Sequence, residues 1–172
     1  MAKLVKGRVT ATIEGDFVIF VIGMRVNKFW KIHKWLPAMM AMGPMVKELS
    51  KNPQSGFLGV IGFIPMVQYW RSIEQLAAYA RKQDALHYPA WVAFNKRASN
   101  NDAVGIWHES YHVRAGEYET IYRDMPKYGL GKIGTLVPAS GKYATAKRRA
   151  GVDPNDQPPI EIPKETPIEI PA

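Results

Sequence analysis

Residues 103–113 read AVGIWHESYHV, and the fold turns on whether this stretch is a helix or a strand. His108 and His112 stand four apart with Glu109 beside the first, the letters of the H-E-x-x-H zinc-protease signature. That signature needs a helix, because residues four apart then share a face and two imidazoles reach one ion. On a strand the same four residues span about 13 Å at roughly 3.3 Å each, too far for two ligands of one zinc. Ala103-Val104-Gly105-Ile106-Trp107 offers no helix cap and few good helix formers, and Tyr111-His112-Val113 continues in that character before Ala115-Gly116 closes the segment. No histidine follows His112 as a third ligand, and no acid lies between Asp124 and Asp153. The stretch therefore reads as a strand, and no metal site is expected. Val104, Ile106, His108, Ser110 and His112 then point to one face, and Gly105, Trp107, Glu109, Tyr111 and Val113 to the other.

Working outward, Asp16–Val26 (DFVIFVIGMRV) is an apolar, β-branched run after a Glu14-Gly15 turn and reads as a central strand, with Arg8–Ile13 as a short strand before it. Trp30–Leu49 reads as a helix that Gly43-Pro44 should kink or restart. Phe57–Ile64 and Met66–Trp70 follow as strands after the turn-forming Asn52–Gly56. Ser72 with Gln75 three residues on is a capping-box start. From there Ile73, Leu76, Ala77, Ala80, Asp84, His87, Trp91, Phe94 and Ala98 trace one face of a long helix, bent at Pro89 and ended by Asn100-Asn101-Asp102. Gly116–Tyr122 and a strand-like run at Ile133–Val137 come after the opening stretch. The order strand, helix, strand, strand, helix, strand predicts an α+β fold of the ferredoxin-like βαββαβ kind. One layer of helices covers one face of such a sheet, so the other face needs a partner, most simply a second subunit.

Composition narrows the function classes. With no cysteine, disulfides, thiolate zinc sites, iron–sulfur clusters and thiol nucleophiles are excluded. Apolar residues make up 47% of 172, enough for a packed core. The net charge of +8 is spread along the chain apart from a cluster at Lys142, Lys147, Arg148 and Arg149, and no nucleic-acid-binding motif accompanies it. No apolar run approaches the roughly 20 residues of a membrane helix. Met1–Lys6 leads directly into a polar segment, so a cytoplasmic location without a secretory leader is expected. Residues 1–150 are read as one domain. Residues 151–172 form a proline-rich tail, extended or disordered, with Pro159-Ile160-Glu161-Ile162-Pro163 repeated at Pro167-Ile168-Glu169-Ile170-Pro171.

An ordered series of short motifs carries a family resemblance: Gly23-Met24-Arg25, Tyr69-Trp70-Arg71-Ser72, His87 followed by Trp91 and Phe94, Gly105-Ile106-Trp107-His108-Glu109, and Tyr118-Glu119 with Ile121-Tyr122. Over about residues 8–150 the chain resembles the monooxygenase-like family that includes the fumagillin-pathway polyketide monooxygenase, within the dimeric α+β-barrel proteins. The resemblance implies a homodimer with packed sheets and a cavity between sheet and helices for an aromatic or polyketide-like molecule. It implies oxygenation without a required cofactor, the substrate anion itself reacting with oxygen. It leaves haem as the alternative, with His87 as iron ligand, and a non-catalytic small-molecule carrier as a third reading.

His87 on the second helix is then a packed histidine, a cavity base or a haem ligand. His108 is a buried histidine or a cavity acid or base. Arg71 pairs an enolate or carboxylate, or a neighbouring acid. Tyr69, Arg25, Asn27, Trp91, Met39 and Tyr122 are candidate substrate contacts. Trp107 is expected in a dimer interface or in core packing.

Overall fold

The computed structural model describes residues 2–98 and 102–158. In chain order the elements are β1 (Val5–Thr12), β2 (Phe17–Val26), α1 (Ile32–Ser50), β3 (Phe57–Gly62), β4 (Met66–Trp70), α2 (Ile73–Arg81), α3 (His87–Ala98), β5 (Val104–Val113), β6 (Tyr122–Met125), α4 (Leu130–Ile133), β7 (Thr135–Pro138) and α5 (Ala146–Arg149). The architecture is α+β. Two compact units divide the chain, residues 17–112 and residues 1–16 with 113–172.

In the first unit a four-stranded sheet has the order β3-β4-β2-β5. β4 pairs antiparallel with both β2 and β3. The end of β2 meets the start of β5, where the Asn27 and Lys28 N–H groups donate to the Ala103 carbonyl at 2.8 and 3.2 Å, so these strands also run antiparallel. The opening stretch is therefore a strand. Alternation sends Val18, Phe20 and Ile22 of β2, with Met66, Gln68 and Trp70 of β4, to one side of the sheet. There Val18 and Trp70 bury against Leu49 of α1 and Leu76 of α2, with Phe20, Phe57, Ile73 and Tyr79 around them. The helices lie on this side.

Three local expectations change. The long helix at Ser72–Ala98 begins as read, with Ser72 Oγ accepting the Gln75 N–H at 3.3 Å, but it ends at Arg81 and restarts at His87. The break lies at residues 82–86 and not at Pro89, which occupies the first turn of α3, where a missing N–H costs no helical bond. Residues 99–101, with the expected Asn100-Asn101 terminus, lie outside the described residues. α1 runs through Gly43-Pro44 without a restart. Pro44 and Met40, whose carbonyl loses its donor, are both exposed, so water can take that bond. Finally, Ile133 belongs to α4, and the last strand is Thr135–Pro138, paired with β1.

In the second unit β1 lies between β6 and β7, antiparallel to both. The basic cluster of Lys142, Lys147, Arg148 and Arg149 turns partly inward here. Arg149 is 5% exposed at its side chain and donates from Nε and Nη2 to Glu119 Oε1 at 2.7 and 2.5 Å, and from Nη1 to the Tyr143 carbonyl at 2.9 Å. Arg148 Nη1 donates to the Gly141 carbonyl at 2.9 Å. Two of the four cations thus hold backbone instead of facing a ligand. Arg149→Ala should cost about 3 kcal/mol in urea unfolding, because it strands a carboxylate and a carbonyl together. Residues 151–158, assigned above to the tail, fold back on α5, with the Val152 N–H donating to the Lys147 carbonyl at 2.9 Å and Lys147 3.5 Å from Asp156. The Pro-Ile-Glu-Ile-Pro repeats lie outside the described residues.

Candidate functional site

The helix-facing side of the sheet is covered unevenly. α1 packs against β3 and α2 against β4. On β5, Ile106, His108, Ser110 and His112 are exposed, while Val104 at its start is buried. The His108 ring lies against Phe20 of β2, with centroids 5.4 Å apart and planes tilted by 41°. Phe20 stands opposite Gln68. An accessible imidazole therefore sits on an apolar floor of Phe20 and Ile106, with a buried amide one strand further in. Among the described residues the His108 ring nitrogens have no hydrogen-bond partner. A neutral imidazole so placed keeps one lone pair free to take a proton.

His87 belongs to a different cluster at the junction of the helices. Its Nδ1 is 3.0 Å from the Ala80 carbonyl. A carbonyl only accepts, so Nδ1 carries the proton and Nε2 carries the lone pair. The ring lies 5.9 Å from that of Tyr79, which lies 6.0 Å from Trp70. Tyr79 Oη donates to Glu48 Oε2 at 2.8 Å, and the Leu86 N–H donates to the same carboxylate at 3.2 Å. Burial, then the Glu48 hydrogen bond, holds the Tyr79 phenol well above its ordinary range, so it stays a donor at neutral pH. Both histidines occupy the helix side, His87 beyond Tyr79 and Trp70, His108 beside Phe20.

The remaining expected residues are scattered. Tyr69 is buried on the opposite sheet side, across from Ile19, and Arg71 just beyond the strand is exposed. Arg25 is exposed on that same opposite side by its register in β2, and Asn27 is exposed past the strand end. Trp91 on α3 is 54% exposed, its ring 6.1 Å from Tyr88. Met39 is half-buried in α1. Tyr122, in the second unit, accepts the Gly131 N–H at 3.1 Å, and burial raises its pKa. Of the expected residues, His87 packs with Tyr79, His108 with Phe20 and Trp91 with Tyr88, three separate ring contacts.

The opposite side has its own constraint. A methyl group on Gly23 would sit 2.6 Å from Cε2 and Nε1 of Trp107, so the indole packs on a bare backbone. Further along that face Tyr111 Oη donates to Glu109, which raises the phenol's pKa. Gly23→Ala should displace the indole, seen as a shift in tryptophan emission, and cost about 1–3 kcal/mol.

Sequence reading missed Glu48, Tyr79 and Gln68. Gln68 is 7% exposed; its Oε1 accepts from Trp70 Nε1 at 2.9 Å and its Nε2 faces Met66 Sδ at 3.4 Å. A glutamine in the middle of Met66–Trp70, on the side that alternation sends to the core, was the available signal. A thioether is a weak acceptor, so the amide keeps donor capacity on the helix side.

A family model described as Monooxygenase af470-like matches residues 17–130. No curated protein matches the chain. A solved structure of a conserved protein of unknown function from Bacteroides thetaiotaomicron, described as a possible oxidoreductase, is similar over 59% of this chain and 100% of its own, at 14% identity and a TM-score of 0.39.

Proposed function

Because the chain belongs to the monooxygenase af470-like family, we propose that it is a small oxygenase-like enzyme acting on an aromatic or polyketide-like molecule. The substrate lies on the helix-facing side of β2 and β5. The observation that carries this is His108: an exposed imidazole packed on Phe20 beside the exposed Ile106. An aromatic ring laid there covers apolar surface and meets a base at its edge. His108 takes the proton from an enolisable position. The electron-rich anion reacts with dioxygen. When a methylene becomes a carbonyl, one oxygen atom stays in the product and the other leaves as water with the two hydrogens, so no external reductant is required.

The strand order β3-β4-β2-β5 with helices on one side supports a ferredoxin-like unit of a dimeric α+β barrel. In a homodimer the Trp107 and Tyr111 side of the sheet turns toward the second copy; both are substantially exposed in the single chain. No described helix is long and apolar enough to cross a membrane.

His87 favours a second reading in one respect. A metal-bound histidine ordinarily donates its other N–H to a carbonyl, as His87 does to Ala80. Its other neighbours are the Tyr79 ring, 5.9 Å away, and through Tyr79 the Glu48 carboxylate, a polar pair and not an apolar slot. No step is assigned to a haem. Titration with haemin tests this: no Soret band that depends on His87 is expected, and one lost in His87→Ala would install the haem reading. For the oxygenase, isotopically heavy dioxygen should leave label in the product of an enolisable aromatic ketone. Label arriving only from heavy water would reject it.

A further inference from the structure

We propose that the turn leading into α1 is an insertion tip that docks the chain on an anionic lipid surface. Phe29 and Trp30 occupy this turn and are 70% and 74% exposed, and Ile32 beside them is 53% exposed. Large apolar side chains this bare cost solvation unless something covers them. The turn is held in place: Trp35 Nε1 donates to the Phe29 carbonyl at 3.1 Å, and the Lys31 N–H to the Lys28 carbonyl at 3.1 Å. The tip is therefore formed before any partner arrives.

Charge selects the partner. From Asn27 to Lys47 the chain contains Lys28, Lys31, Lys34, Lys47 and His33 but no acidic residue. Asp102, 2.5 Å from Lys28, also interacts with Lys31, so Lys28, Lys31 and Lys34 carry three positive charges against one carboxylate. The outward side of α1 continues the pattern, because His33, Met40 and Lys47 recur every seven residues and Met40 is 66% exposed. Aromatic rings flanked by lysines match a bilayer interface, where the rings enter the headgroup layer and the cations meet anionic lipid. A second copy is disfavoured as the occupant, since a two-fold contact would bring the same lysines against each other. With no described helix able to span a bilayer, the attachment is peripheral.

Sedimentation of the full chain with phosphatidylcholine vesicles, with and without phosphatidylserine, tests the proposal. Binding is expected to the serine-containing vesicles alone and to weaken with salt. Lys31→Gln with Lys34→Gln should weaken it roughly twenty-five-fold, about fivefold for each lysine. Phe29→Ser with Trp30→Ser should abolish it while melting behaviour is kept. Folded wild-type chain that stays in the supernatant, or sedimentation that both double variants leave unchanged, overturns the proposal. So does loss of a dimer in the Phe29→Ser/Trp30→Ser variant without any vesicle binding in the wild type.

Discussion

His108→Ala should lower turnover roughly a hundred- to ten-thousand-fold, the usual contribution of a positioned general base. The same variant should unfold at the wild-type denaturant midpoint, because the ring is exposed and has no hydrogen-bond partner among the described residues. This combination separates chemistry from structure. Trp107→Ala is the control, one residue away on the other face of β5: it removes a packed indole and should alter stability or association more than turnover. If His108→Ala keeps full turnover, the base lies elsewhere. His87 is then the next candidate, since its Nε2 carries the lone pair in the tautomer fixed by Ala80.

Trp70→Ala should destabilise the chain by about 3–5 kcal/mol, the range for removing a large buried aromatic side chain. Trp70 is fully buried, its ring edge meets Phe57 at 5.4 Å, and it also faces Tyr79. The loss has two parts. One is a cavity between sheet and helices. The other is the Gln68 carbonyl oxygen, buried and deprived of its donor. Trp70→Phe keeps much of the volume and loses the donor, so it should cost less, about 1–3 kcal/mol. Urea unfolding of both variants separates the parts. Equal losses would mean that the Gln68 hydrogen bond, and not packing, accounts for the effect.

Much of the sheet is legible in the sequence because its side chains repeat every two residues. Residues 103–113 resolve the H-E-x-x-H ambiguity in this way: Phe20 meets His108 on one face, Gly23 meets Trp107 on the other, and Tyr111 meets Glu109 on the same face as Trp107. The break between α2 and α3 was not legible. Lys82-Gln83-Asp84 holds neither glycine nor proline, and the new helix start is fixed from afar. Glu48, thirty-eight residues earlier, places its carboxylate on the Leu86 N–H, a negative charge at a helix N-terminus. The inward turn of Arg148 and Arg149 was hidden for a similar reason: a run of cations looks like a solvated face until its carbonyl partners at Gly141 and Tyr143 are known. Of the candidate site, His87 was legible on the apolar face of the second helix and His108 on a sheet face with aliphatic residues, while their separate ring partners, Tyr79 and Phe20, were not. Tyr69, Arg71 and Arg25 were read as contacts from their places at strand ends, and alternation along β2 and β4 sends Tyr69 and Arg25 to the other side.

Oxygen uptake by metal-stripped protein with an enolisable aromatic ketone is the most direct measurement of the central claim. Dioxygen should be consumed mole for mole with substrate, without added metal, flavin or haem, and His108→Ala should suppress the rate while the protein stays folded. No uptake across a series of such ketones, uptake only after haemin is added, or uptake indifferent to His108 would contradict it.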